Sequence, residues 1–248
     1  MKQFSLVTVV ALSMQLLAQD RIPVGTILPV QLNSSLRSDK ARAGEQVSAR
    51  VMQNIPLLTG RQIHSGAKVI GHVVSARPAE NGRGGEISLR FDTLEIGKHH
   101  IAMTTNLRAL ATMMDVSEAQ IPESGPDRGT SEYSWTTDQI GGEVDYRGGG
   151  AIVHAAEIVG YSVPNGVLVR VSPKPGQKCR DEVDGNDQLQ ALWIFSSDAC
   201  GLYDLPNLSL THAGRTEPVG QITMRSNKGN VEIRGGSGML LRVIGTAP

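Results

Sequence analysis

The stretch EISLRFDTLEIGKHHI, residues 86–101, decides the fold. Ile87, Leu89 and Phe91 alternate with Ser88, Arg90 and Asp92, the period-two pattern of a strand that buries one face. The apolar parity then changes to Leu94 and Ile96. One extra residue near Asp92-Thr93, a β-bulge, returns both halves of the strand to a common inward face. The chain next turns through Gly97-Lys98, a two-residue connection of the kind that joins antiparallel strands. A long bulged strand followed by a tight hairpin implies an antiparallel, curved sheet.

Working outward, the same alternation recurs. TILPVQL (26–32) sets Leu28, Val30 and Leu32 on one face, and QVSARV (46–51) does so with Val47, Ala49 and Val51. GVLVRV (166–171), QALWIF (190–195), NLSL (207–210), GQITM (220–224), NVEI (230–233) and MLLRVI (239–244) read as further strands, with SNKGN (226–230) as a hairpin loop. The 28 glycines fall between these short apolar runs, as tight turns require. LRALATMMDVSE (107–118), with Leu110, Met113 and Met114, predicts a short helix, and the polar run after it, with Pro122 and Pro126, a flexible linker. GGGAIVHAAEIVG (148–160) fits a short helix and a buried strand equally. The expected fold class is all-β, with two β-rich modules. Residues 19–106 form a small barrel or sandwich, 107–132 a helix and linker, and 133–248 a C-terminal β-rich module.

The opening MKQFSLVTVVALSMQLLAQD has Lys2, an apolar run from Phe4 to Leu17 and the small Ala18, the signature of a secretory signal peptide over residues 1–18. That run is short of the ~20 residues that span a bilayer, and no later stretch reaches that length. The expected product is periplasmic or secreted, with no integral membrane segment after cleavage. An oxidising compartment lets the two cysteines, Cys179 and Cys200, pair as a disulfide. Such a bridge adds roughly 3 kcal/mol by restricting the unfolded chain. The 24 basic and 24 acidic residues cancel without a basic stripe, which argues against a nucleic-acid partner.

Ser65-Gly66-Ala67-Lys68 has the S-x-x-K spacing of acyl-transferring serine enzymes. That chemistry needs the serine at a helix start, so that the lysine one turn later reaches its hydroxyl. Here the segment IHSGAKVIGHV reads as a turn feeding a strand, on which side chains three apart face opposite sides. Of the six histidines (His64, His72, His99, His100, His154 and His212), the adjacent His99 and His100 cannot chelate one ion from a strand. A zinc site would need ligands converging from distant segments. CRDEVDGNDQ gathers Asp181, Glu182, Asp184, Asn186 and Asp187 without the spacing of a calcium loop. RGGSGM lacks the spacing of a nucleophile elbow. Ser196, Ser197, Asp198 and His212 supply the residue types of a hydrolase and no motif. No catalytic residue, metal ligand or cofactor is assigned from the sequence.

Four segments of the N-terminal half, IPVGTILPVQLNSSLRSD, AGEQVSARV, HSGAKVIGHV and ISLRFDTLEIGKHHI, occur in an order that resembles the periplasmic β-barrel segment of the TrbI-like family of type IV secretion and conjugal transfer. Ile22-Pro23-Val24-Gly25-Thr26 matches that family's opening turn. Ser65 to Gly71 matches its second turn, with His64 where a proline usually stands, and Gly97-Lys98 matches its hairpin tip. The resemblance covers residues 22–106 and consists of turn chemistry. It implies a non-enzymatic cell-envelope protein with a structural or interaction role, whose partners are other envelope proteins or further copies of itself. A secreted hydrolase with an unrecognised site and a small-ligand or calcium binder, using the loop at 181–187, are the alternatives.

Overall fold

The computed structural model describes residues 21–129, 136–146, 149–172 and 186–246. The first half contains β1 (Ile27–Leu32), β2 (Leu36–Arg37), β3 (Gln46–Val51), β4 (Ile55–Pro56), β5 (Gln62–Ile63), β6 (Lys68–Arg77), β7 (Glu86–Ile96), β8 (His99–Ala102), β9 (Thr104–Ala111) and helix α1 (Met113–Glu118). The second half continues with β10 (Thr136–Asp138), β11 (Val144–Tyr146), β12 (Ala151–His154), β13 (Glu157–Val163), β14 (Gly166–Val171) and β15 (Asn186–Ala191). It ends with β16 (Gly201–Tyr203), β17 (Leu208–Ala213), β18 (Ile222–Ser226), β19 (Glu232–Ile233) and β20 (Gly238–Gly245). The fold is all-β, as its alternating sequence requires.

One ten-stranded sheet organises the molecule and curls into a nearly closed barrel. Along one path β20, β1, β3, β6 and β7 pair in that order, each antiparallel to the next. The circuit returns through β8 and β9, consecutive segments separated by Met103 alone. β8 pairs with the C-terminal half of β7, and β9 pairs with β20. The seam lies at the bulge expected from the parity change. Ile70 faces Thr93 and Gly71 faces Phe91, so Asp92 is the extra residue in β7. Its carbonyl accepts the Met103 amide at 2.8 Å, and the Phe91 carbonyl accepts the Thr105 hydroxyl at 2.8 Å. A second irregularity between Val73 and Ser75 on β6 adds to the bend.

The strands of this barrel bury two different faces. Inside, Leu28, Val30, Val47, Ala49, Val69, Leu89, Phe91, Leu94 and Leu241 pack into the main core. On the outer wall, Ile27, Ala109, Ala111 and Leu240 join a second core. Its other side is the sheet β12-β13-β14-β15, through Ile152, Val167 and Val169, together with Leu192 to Phe195. Each large apolar side chain buried there contributes about 1.5–3 kcal/mol. Two polar clamps align the layers. Gln53, fully buried, donates to the Val167 carbonyl at 2.8 Å and accepts the Trp193 amide at 2.7 Å. The Gln190 side chain accepts the Ile27 amide at 3.0 Å.

Several expectations change here. The sheet crosses the boundary placed at 107–132, because β1 is completed by β20 and β7 by β18. Residues 107–111 continue β9, buried on both faces, and the helix begins only after Thr112. There the Thr112 hydroxyl accepts the Asp115 amide at 3.1 Å and the Asp115 carboxylate accepts the Thr112 amide at 3.0 Å, a reciprocal cap that starts the helix. Val116 faces the core, while Met113 and Met114 are exposed. The ambiguous segment 148–160 contains β12, which pairs with β13 as a hairpin. QALWIF leaves the sheet at Ala191, since Trp193 takes a left-handed φ of 56° to meet Gln53. The loop at 226–230 links β18 to β19 without making a hairpin, because β19 pairs with β2. Among the described residues no helix is long and apolar enough to cross a membrane. The expected signal peptide lies outside them.

Gly71 tests the seam. A Cβ there would sit 1.8 Å from the Arg90 carbonyl oxygen and 2.9 Å from Phe91 Cα, both backbone atoms. Gly71→Ala is expected to cost at least about 3 kcal/mol in urea denaturation. Gly97→Asn, in the open hairpin turn, costs under about 1 kcal/mol, because asparagine tolerates the left-handed region. A Gly71→Ala protein as stable as the parent contradicts the close approach.

Candidate functional site

The serine–lysine spacing resolves into turn geometry. Ser65 and Gly66 form a turn in which Gly66 has φ of 91° and its amide reaches the Val51 carbonyl at 2.8 Å. Asn54 accepts the Ser65 amide at 2.9 Å, and Lys68 opens β6 with its ammonium 3.6 Å from Glu95. Lys68 is thereby held by a carboxylate on the neighbouring strand. Most histidines are likewise engaged separately: His72 with Asp92 at 2.9 Å and His100 with Glu95 at 3.3 Å. His212 is held within its own hairpin, its Nδ1 2.6 Å from the Gln221 carbonyl and its Nε2 3.1 Å from the Thr216 hydroxyl.

Among the described residues, a polar cluster forms where the β10–β11 hairpin meets the loop after β15. Gly141 and Gly142 adopt φ of 119° and 97°, which allows the tight turn that returns Glu143 toward the sheet. Ile140 is bound to this loop on both sides: its amide reaches the Ile194 carbonyl at 2.8 Å, and its carbonyl accepts the Ser196 amide at 3.0 Å. The Glu143 side chain is 3% exposed. One of its oxygens accepts the Ser197 amide at 2.8 Å, and the other accepts the Ser197 hydroxyl and lies 2.9 Å from His154 Nδ1. Burial pushes the Glu143 carboxyl up, against the stabilising pull of the Ser197 hydroxyl and amide and of His154. Asp198 accepts the Ser196 hydroxyl at 2.8 Å, and ligand atoms of Glu143, His154 and Asp198 all lie within 4.8 Å of one another.

Beneath this cluster, Arg108 of β9 fixes the loop to the barrel. Its side chain is buried, with Nε donating to the Ala199 carbonyl at 3.0 Å and Nη2 to the carbonyls of Ser172 and Ser197 at 3.1 and 3.3 Å. Desolvation, with repulsion from Arg242 and Arg215, pushes the guanidinium down to about 10, so it keeps its charge at neutral pH. Nearby Tyr203 accepts the Cys200 amide at 3.1 Å, and burial raises its phenol.

The structure brings Ser196, Ser197 and Asp198 together, as their adjacency dictates, and adds Glu143 and His154. It does not assemble the hydrolase grouping. The Ser197 hydroxyl faces a carboxylate, both serines are no more than 1% exposed, and the hydrogen bonds of His212 remain within its own loop. Of the acidic loop, Asp181, Glu182 and Asp184 lie outside the described residues, whereas Asn186 and Asp187 begin β15. Cys200 is 1% exposed, and its expected partner Cys179 lies outside the described residues. Glu143 was not legible beforehand: nothing in its local sequence marks it, and its partners stand in other segments. No family model matches the chain, and no curated protein matches it significantly.

These contacts predict opposite outcomes at two places. Ser65→Ala and Lys68→Ala should each change stability by less than about 0.5 kcal/mol, as exposed turn and strand-start positions do. Arg108→Ala, which removes the guanidinium's hydrogen bonds to the carbonyls of Ala199, Ser197 and Ser172, should cost about 2–4 kcal/mol by the same denaturation measurement. Equal effects at the two places would contradict the assignment of Arg108 as the anchor.

Proposed function

We propose that the protein is an exported, non-enzymatic component of the bacterial cell envelope, acting through protein interaction or self-association. The observation that carries this reading is an apolar outer face on the sheet β12-β13-β14-β15. Val153, Ile158 and Tyr161 are 50%, 63% and 47% exposed, although their own sheet buries Ile152, Val167 and Val169 beneath them. Val153 is paired with Ile158, and Ala151 with Tyr161, so these side chains form one patch across two strands. Contiguous exposed apolar surface of this kind marks interaction sites. The resemblance of residues 22–106 to the barrel of the TrbI-like family points the same way. The turn Ile22 to Thr26 is built as an entry to the barrel, with the Gly25 amide on the Val243 carbonyl at 2.8 Å.

A photo-crosslinking residue placed in cells at Val153, Ile158 or Tyr161 should trap a specific partner or a second copy. One placed at Leu58, 70% exposed on the β4–β5 loop outside this patch, should not. Ile158→Lys should abolish the product without unfolding the chain. Light scattering that finds a monomer at all concentrations, with no crosslinked product, overturns the reading. Export into an oxidising compartment lets Cys179 and Cys200 close as a bridge. Thiol counting on denatured, unreduced protein should find none, and two reactive thiols contradict the bridge.

A further inference from the structure

We propose that Glu143, His154 and Asp198 form a binding site for one divalent transition-metal ion of the zinc type. The three side chains come from the β10–β11 turn, the end of β12 and the loop between β15 and β16. Each offers one ligand atom, and these atoms lie within 4.8 Å of one another. Ligands about 2.0–2.2 Å from zinc stand roughly 3.4 Å apart in a tetrahedron, so small side-chain rotations suffice to seat an ion. The 2.9 Å between His154 Nδ1 and Glu143 Oε1 is close to that ligand–ligand spacing.

The donor set narrows the class of ion. One imidazole and two carboxylates suit zinc and its first-row neighbours, whereas calcium takes oxygen ligands only. Three protein ligands leave a fourth position for water. The carboxylates are themselves held in place: the Ser197 amide and hydroxyl fix Glu143, and the Ser196 hydroxyl fixes Asp198. Such outer hydrogen bonds orient metal ligands and limit the entropy lost on binding. Two carboxylates so close, one of them buried, also carry a charge that a cation offsets. On the barrel side Arg108 directs its hydrogen bonds to carbonyls and acts on Asp198 only through space. An ion here would tie the β10–β11 hairpin and β12 to the loop that Arg108 anchors. Its first role is to fasten the accessory layer to the barrel wall.

The test uses the full mature chain, unreduced, freed of metal with a chelator and titrated calorimetrically with zinc chloride. One equivalent should bind, raise the melting temperature and, with cobalt substituted, give visible absorption bands of a nitrogen–oxygen ligand set. His154 is 38% exposed, so His154→Ala should fold normally, and Asp198→Asn keeps the shape of the side chain. Each should weaken zinc at least about 100-fold and remove the melting shift. Glu143→Gln is informative only where its circular dichroism matches the parent. The proposal is overturned by zinc that fails to bind, by affinity unchanged in both His154→Ala and Asp198→Asn, or by binding that leaves the melting temperature unmoved.

Discussion

Everything in this fold depends on one residue standing outside a β-ladder. Asp92 interrupts the pairing of β6 with β7, and at that point the free edge of β7 changes partner. Before it, Glu86 to Leu89 pair with β18; beyond it, Thr93 to Ile96 pair with β8. A regular strand would present one straight edge to one neighbour. The bulge bends it and turns the carbonyls of Phe91 and Asp92 toward Thr105 and Met103, where β8 passes into β9. Gly71 allows this because its missing side chain lets the Arg90 carbonyl come close. The nearly closed circuit leaves fewer edges open than a flat sheet would, a general defence of β proteins against unwanted pairing.

Closure has a consequence on the outer wall. With the inside of the barrel filled, the outward residues of β1, β9 and β20 are free to support a second layer. The small side chains of Ala109 and Ala111 let that layer approach, and Ile27 and Leu240 pack against it. The loop from Leu192 to Cys200 is pressed between the two and fixed by Gln53 and Arg108. The polar cluster of Glu143, His154 and Asp198 therefore stands at the junction of barrel, hairpin and accessory sheet. A buried carboxylate is costly unless held by donors, and Ser197 supplies two.

Local features were legible in the sequence because their causes are local. The change of parity between Phe91 and Leu94 located the bulge, and Gly97-Lys98 located the hairpin. Ser65-Gly66 marked a turn and not a nucleophile. Pairing at long range was not legible: that Ile27 lies opposite Arg242 depends on the whole circuit, not on either segment. For the same reason the chain divides into halves on paper while its sheet does not. Leu110, Met113 and Met114 have helical spacing, but residues 107–111 are needed as a strand buried on both faces. The site was half legible. Asp198 stood out beside two serines and His154 among six histidines, but Glu143 acquires its meaning only when the β10–β11 turn folds onto the loop.

The central claim is that the first and last strands belong to one cooperative, nearly closed barrel whose seam lies at Asp92. Native-state hydrogen exchange measures this directly, by comparing amides in β1, in β9 and in β20 at increasing denaturant. The amides of Leu28, Leu107 and Leu241 should converge on one opening free energy, equal to that of global unfolding. Amides of β20 that open separately, at a markedly lower free energy while β1, β3, β6 and β7 remain protected, would contradict a barrel completed by its C-terminal strand.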